Sequence, residues 1–94
     1  MKVYLVSEII CFMDERMNKR FEVFKTKEDA IEYKEWLIEE WIADLADVNF
    51  CEEEDVEDFI HINYNSPCLW GFTNEDCSEE VEIEITELDL LSIK

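Results

Sequence analysis

The first strand predicted from the sequence, over residues 2–12, is apolar on both faces. Val3, Leu5, Ile9 and Cys11 fall on one face, and Tyr4, Val6, Ile10 and Phe12 fall on the other. Because successive side chains of a strand point to opposite faces, this pattern indicates a strand in the middle of a sheet. A polar turn over residues 14–19 and a second strand over residues 20–25 would complete a hairpin.

A long amphipathic helix is predicted from about residue 27 to residue 46. Thr26 is a typical N-cap, and Asp29 follows three residues later as in a capping box. The apolar positions recur at helical spacing and form one stripe: Ala30, Ile31, Leu37, Ile38, Trp41, Ile42, Leu45 and Ala46. Lys34 lies near the middle of this stripe, and we expect its ammonium group to reach the edge of the stripe.

Three further strands are predicted after an acidic connector at residues 51–58, which has room for one helical turn. They cover residues 59–64, 68–73 and 80–90. The sequence therefore predicts an α+β domain of order ββ-α-βββ, with an antiparallel sheet of four or five strands and one long helix packed on one face. A chain of 94 residues fits a single domain, residues 1–94.

The last predicted strand contains a change of phase. Val81, Ile83 and Ile85 alternate with glutamates and would point inward, whereas Leu88 and Leu90 fall on the opposite parity. We therefore expect a bulge or bend near residues 86–87.

Charge is distributed very unevenly along the chain. Residues 1–34 hold seven bases and seven acids, whereas residues 35–93 hold nineteen acids and no Lys or Arg. The formal net charge of -18 therefore comes from the second part of the chain. Such a field opposes compaction but attracts basic partners, and it disfavours direct binding to the phosphate backbone of nucleic acid.

Membrane insertion and secretion are not indicated by the pattern. No apolar run approaches the roughly 18 residues of a membrane span. Glu8 interrupts the first apolar stretch too early for a signal peptide. We expect a cytoplasmic protein whose cysteines are reduced.

Residues suited to catalysis are few. His61 is the only histidine and lies in the middle of a predicted strand, where packing or surface roles are commoner than general base catalysis. A single glycine, Gly71, does not make a phosphate-binding loop. We therefore predict no enzymatic activity.

The sequence offers ligands for two kinds of metal site. A zinc site would draw on Cys11, Cys51, Cys68, Cys77 and His61, but none has the close spacing of structural zinc ligands. A calcium or magnesium site would draw on the acidic connector, which does not match the EF-hand loop. We predict no metal site and no other cofactor.

Protein binding is the function that the pattern favours. Trp36 points away from the apolar stripe of the helix, with Tyr33 near its edge, and an exposed aromatic ringed by acids is typical of a binding hot spot. Glutamates on alternate positions of the last strand would add a ladder of charges about 6.8 Å apart. The predicted partner-binding residues are Asp29, Glu32, Tyr33, Trp36, Glu39, Glu40, Glu52, Glu53, Glu54, Asp55, Glu80, Glu82 and Glu84.

Two resemblances extend this interpretation. Residues 21–33, FEVFKTKEDAIEY, look like the strand-to-helix junction of small phage and prophage proteins, which implies a shared ββα opening. The strongly anionic profile resembles that of acidic phage-encoded inhibitors of the DNA-mimic class. These block restriction enzymes, CRISPR effectors or DNA-repair enzymes by occupying nucleic-acid sites. The class has no common fold or motif, so the resemblance assigns no residue. Four bases depart from a uniformly acidic coat, which suggests that one end of the molecule does not mimic DNA: Lys2, Arg16, Lys19 and Arg20.

The function expected from the sequence is therefore a non-enzymatic inhibitor that binds a basic nucleic-acid-binding surface of a partner protein, such as an effector or nuclease. An anti-CRISPR or other anti-defence protein of a phage would fit this description. The alternative is a homo-oligomeric or adaptor module, for example a homodimer, in which the acidic surface serves solubility.

Overall fold

A computed structural model describes residues 1–12, 15–74 and 79–89. The elements in chain order are β1 (Lys2–Phe12), β2 (Glu15–Phe24), α1 (Lys27–Val48), a 3₁₀ connector helix (Glu53–Asp58), β3 (Ile60–Ser66), β4 (Leu69–Asn74) and β5 (Glu79–Asp89). The predicted ββ-α-βββ order is confirmed, and α1 packs on the sheet.

The five strands form one antiparallel sheet in the order β2-β1-β5-β4-β3. β5 is central and β1 lies beside it, which agrees with the apolar residues on both faces of β1. The helix covers one face of the sheet. The other face, called the open face below, is covered by no element of the described residues.

Strand β2 differs from the prediction. It begins at Glu15 and pairs with β1 as far as Phe12, so most of the polar turn predicted at residues 14–19 is wrong. Because β2 is an edge strand, its polar side chains reach water and no apolar alternation marks its beginning. The register shifts after the pair Glu8–Arg20, which leaves Lys19 as the extra residue of a bulge.

Strand β5 also differs from the prediction. Its pairing with β1 runs without a break from Phe12–Glu79 to Lys2–Asp89, so the bulge predicted near residues 86–87 is wrong. Leu88 keeps the strand's alternation and lies on the open face, opposite Val3 of β1. The change of phase therefore reflects apolar residues on the second face; Leu90 lies outside the described residues.

The core lies between α1 and the covered face of the sheet. Its fully buried side chains come from five elements and include Val6, Leu37, Val56, Phe72 and Ile83. The helix begins as predicted, because the Thr26 hydroxyl accepts a hydrogen bond from the Asp29 amide at 3.2 Å.

Lys34 lies within the apolar stripe of α1, as predicted, and most of its side chain is buried. It is 5% exposed, because it lies between Ala30 and Leu37 on the side of α1 that packs on the sheet. Burial lowers the pKa of its ammonium group, since a charged amine is disfavoured away from water.

A buried carboxylate joins the helix to the sheet. Glu8 of β1 is 1% exposed and accepts two hydrogen bonds, one from Arg20 Nε at 2.8 Å and one from Trp41 Nε1 at 2.5 Å. The Arg20 guanidinium also lies 3.7 Å from Glu40 of α1. The hydrogen bond to Glu8 is the largest cause of the raised pKa of Arg20. Both oxygens of the buried acid are thereby satisfied.

We predict that Arg20→Met destabilises the protein by about 3 kcal/mol, because it leaves the buried Glu8 carboxylate without its cation. Glu8→Gln costs about 1 kcal/mol, since an amide oxygen still accepts from Trp41 and Arg20 still reaches water. Urea unfolding followed by tryptophan fluorescence measures both.

The control for this prediction is Arg16→Met, which removes an exposed cation 3.7 Å from Glu82 and should change stability by less than about 1 kcal/mol. An Arg20→Met variant no less stable than Arg16→Met would contradict the role given to the buried pair.

Candidate partner-binding surface

Many exposed carboxylates lie on α1 and the connector helix. The two elements pack on each other, and the chain turns back between them through a hydrogen bond from the Cys51 amide to the Ala46 carbonyl at 3.0 Å. We call ten exposed carboxylates the helix–connector surface: Glu35, Glu39, Asp44, Asp47, Glu52, Glu53, Glu54, Asp55, Glu57 and Asp58.

None of these ten carboxylates forms an ion pair with a Lys or Arg of the described chain. The bases pair elsewhere: Arg20 with Glu8 and Glu40, Arg16 with Glu82, and Lys2 with Glu87. Apart from the electrostatic interaction of Glu35 with the neighbouring Lys34, the negative charge of the helix–connector surface is therefore uncompensated within the part of the molecule that the structure describes.

Trp36 is half-exposed beside this surface, at 48%. Its ring stacks on Tyr33 at a centroid distance of 5.8 Å, and the Arg20 guanidinium lies 5.9 Å from its centroid. The prediction that Trp36 points away from the core agrees with this position. Glu40 is only partly exposed because it faces Arg20 of β2.

The remaining predicted residues of the helix and connector are exposed on the same side of the sheet as Trp36. Asp29, Glu32 and Glu39 lie along the outer side of α1, and residues 52–55 belong to the connector region. This part of the predicted binding set therefore extends from the first turn of α1 to the connector region.

The glutamates of β5 do not join that surface. Val81, Ile83 and Ile85 point toward the helix, so Glu80, Glu82 and Glu84 point to the open face on the opposite side of the sheet. Their side chains are partly buried between the neighbouring strands. The predicted binding residues therefore lie on two surfaces that one cationic groove does not contact together.

Glu82 has the most perturbed carboxyl group of this open-face cluster. Its side chain is 18% exposed, and Arg16 Nη2 lies 3.7 Å from its Oε2. Burial raises the pKa of Glu82, and the neighbouring Glu80 and Glu84 raise it further, whereas Arg16 opposes the shift. This strand face carries a charge that the fold disfavours at neutral pH.

A cleft of about 210 Å³ lies beside the helix–connector surface, and the prediction missed it. Ile42 of α1 and Ile60 and Ile62 of β3 line it, together with the buried Val56 and Trp70. The apolar side chains at alternate positions of β3, Ile60 and Ile62, were the sequence feature that could have indicated the cleft. Which face of β3 meets the connector is a long-range feature that the sequence pattern does not specify.

The rim of the cleft is acidic. Glu53, Glu54 and Glu57 of the connector helix line it, and all three are exposed. The first two were in the predicted binding set and Glu57 was not.

The candidate zinc ligands lie far apart along the fold. Cys11 is on the open face of β1, Cys51 follows α1, Cys68 is in the β3–β4 turn, and His61 is exposed on β3. Cys77 lies outside the described residues. Among residues 1–12, 15–74 and 79–89, no three His, Cys, Asp or Glu side chains are placed to hold a metal ion.

Neither α1 nor any other helix in the described ranges is long and apolar enough to cross a membrane. Comparison with known protein families, curated proteins and solved structures gives no match for this chain. The resemblance to acidic phage inhibitors therefore stays a prediction.

We predict that Glu82→Gln stabilises the protein at neutral pH, because it removes a partly buried charge beside Glu80 and Glu84. A carboxyl whose folded pKa is raised contributes its stability below the unfolded pKa and loses it as pH rises through the folded pKa. The advantage of the variant should therefore shrink as pH falls from 7 toward the ordinary glutamate pKa of about 4.3.

Urea unfolding at a series of pH values and constant ionic strength measures this difference. Glu54→Gln is the matched control, because it removes one exposed charge from the same molecule without an ion pair. A difference between Glu82→Gln and wild type that does not change with pH would contradict the interpretation.

Proposed function

We propose that this protein is a non-enzymatic inhibitor that binds the nucleic-acid-binding surface of a basic partner protein. The observation that carries the proposal is the helix–connector surface, whose ten exposed carboxylates form no ion pair with a described Lys or Arg. A groove lined with Lys and Arg for phosphates is complementary to such a surface.

The helix–connector surface is a better candidate than the open face. Its carboxylates are exposed, whereas Glu82 on the open face is largely covered and lies beside Arg16. Electrostatic steering depends on charges that face solvent, because the approaching partner senses their field before contact. We therefore place the first encounter with the partner at α1 and the connector helix.

Trp36 supplies the apolar contact of the proposed interface. Stacking on Tyr33 holds the indole in place before binding, so little conformational freedom is lost when a partner covers it. Half-exposed aromatic side chains of this kind are frequent anchors in interfaces.

The partner class is an effector or nuclease with a basic nucleic-acid groove, and an anti-defence role in a phage or prophage would be one instance. The support for that instance is the resemblance of the charge profile to acidic phage inhibitors. The charge itself supports only the class of partner.

Charge reversal on the two faces tests the proposal. The partner is first captured from a bacterial lysate at low salt, eluted with a salt gradient, and retained only if this protein displaces nucleic acid from it. We predict that Glu39→Lys/Asp47→Lys lowers the association rate constant about tenfold at low salt. The matched pair Glu80→Lys/Glu84→Lys makes the same change in net charge on the open face and should lower it much less.

Stopped-flow association at several ionic strengths gives these rate constants, and Trp36→Ala in the same series should mainly speed dissociation. Equal effects of the two charge-reversal pairs would contradict the assignment of the surface. Association that does not depend on salt would contradict the mechanism.

A second candidate function is a homo-oligomeric module, as in the alternative above. The observation that favours it is the presence of exposed apolar side chains on the open face, namely Phe21 and Val23 of β2 and Leu88 of β5. Sedimentation velocity distinguishes the two candidates, because a tight dimer that buries Phe21 supports the module and a monomer supports the inhibitor.

A further inference from the structure

We propose that the cleft between α1, the connector helix and β3 binds one arginine side chain of the partner protein. The identity of the partner as a protein rests on the proposed function. The assignment of an arginine to the cleft rests on the shape and the charge of the cleft.

The floor of the cleft is apolar. Ile42, Ile60 and Ile62 are partly exposed there, above the buried Val56 and Trp70. A chain of methylene groups laid on this floor removes apolar surface of both partners from water, which favours binding. The three methylenes of an arginine side chain have this character.

The rim of the cleft is anionic and has no cation of its own. Glu53, Glu54 and Glu57 line the cleft from the 3₁₀ connector helix, and none of them pairs with a described Lys or Arg. A cationic group at the end of an apolar stem would contact the rim while its stem covers the floor. The combination of floor and rim is complementary to a basic side chain and repels an acidic one.

Size and hydrogen-bonding geometry favour one arginine. Pockets for whole small-molecule ligands measure about 300–1,000 Å³, and this cleft of about 210 Å³ is smaller. The guanidinium group donates in several directions in its plane, so it can serve two rim carboxylates at once. It is also less strongly hydrated than an ammonium group and tolerates the neighbouring apolar floor better.

An NMR titration of the whole protein with Nα-acetyl-arginine amide tests the cleft without any partner. We expect a dissociation constant on the order of millimolar, with shift changes centred on residues 53–62 and Ile42. Acetyl-norleucine amide lacks the charge, guanidinium chloride lacks the stem, and acetyl-lysine amide lacks the planar donor group. Each should bind the cleft at least about threefold more weakly than the arginine probe.

Rim variants make the test specific. Glu53→Gln/Glu57→Gln should weaken binding of the arginine probe about fivefold, and Glu39→Gln/Asp47→Asn, which removes the same charge outside the cleft, should weaken it less than twofold. All four positions are exposed, and thermal unfolding confirms that each variant folds. Equal weakening by both variants, or equal binding of the lysine and arginine probes, would overturn the proposal.

The same variants separate this inference from the proposed function. If the partner binds through α1 but Glu53→Gln/Glu57→Gln leaves its dissociation rate unchanged, the arginine site is wrong and the inhibitor function stands. If the arginine probe binds the cleft specifically and no basic protein is inhibited, the cleft stands and the inhibitor function fails.

Discussion

The hydrogen-bonded pair of Glu8 and Arg20 is the interaction on which the arrangement of the molecule depends. A carboxylate buried between the helix and the sheet has to be neutralised, and Arg20 of the edge strand β2 does this while Trp41 donates to the second oxygen. The pair therefore fixes β2, β1 and α1 against one another. One of the eight bases in the chain, Arg20, is therefore paired with a buried acid.

Three other described bases also lie away from the connector helix or are buried. Lys34 is buried on α1, Arg16 faces Glu82, and the Lys19 ammonium lies 4.7 Å from the centre of the Trp41 ring. From residue 35 onward, the outer side of the helix and the connector helix carry exposed acids and no Lys or Arg. The negative surface proposed to bind a partner thus follows mainly from the absence of bases in residues 35–93.

Local patterns predicted much of the fold, because alternation and helical spacing report which side of an element is buried. They gave both faces of β1, the cap at Thr26 and the glutamates of β5 on the side away from the helix. That last alternation already implied two separate acidic surfaces. The beginning of β2 and the cleft at Ile60 depend on contacts between distant parts of the chain, which no local pattern encodes.

The proposed function depends on a concentration of negative potential at the helix–connector surface. Paramagnetic relaxation of amide protons by freely diffusing cationic and anionic nitroxides measures the potential near each residue directly. We expect relaxation by the cationic nitroxide to exceed relaxation by the anionic one most strongly at residues 35–58, and clearly less along β1 and β2. An equal excess on the two sides of the sheet, with residues 35–58 no more negative than β2, would contradict it.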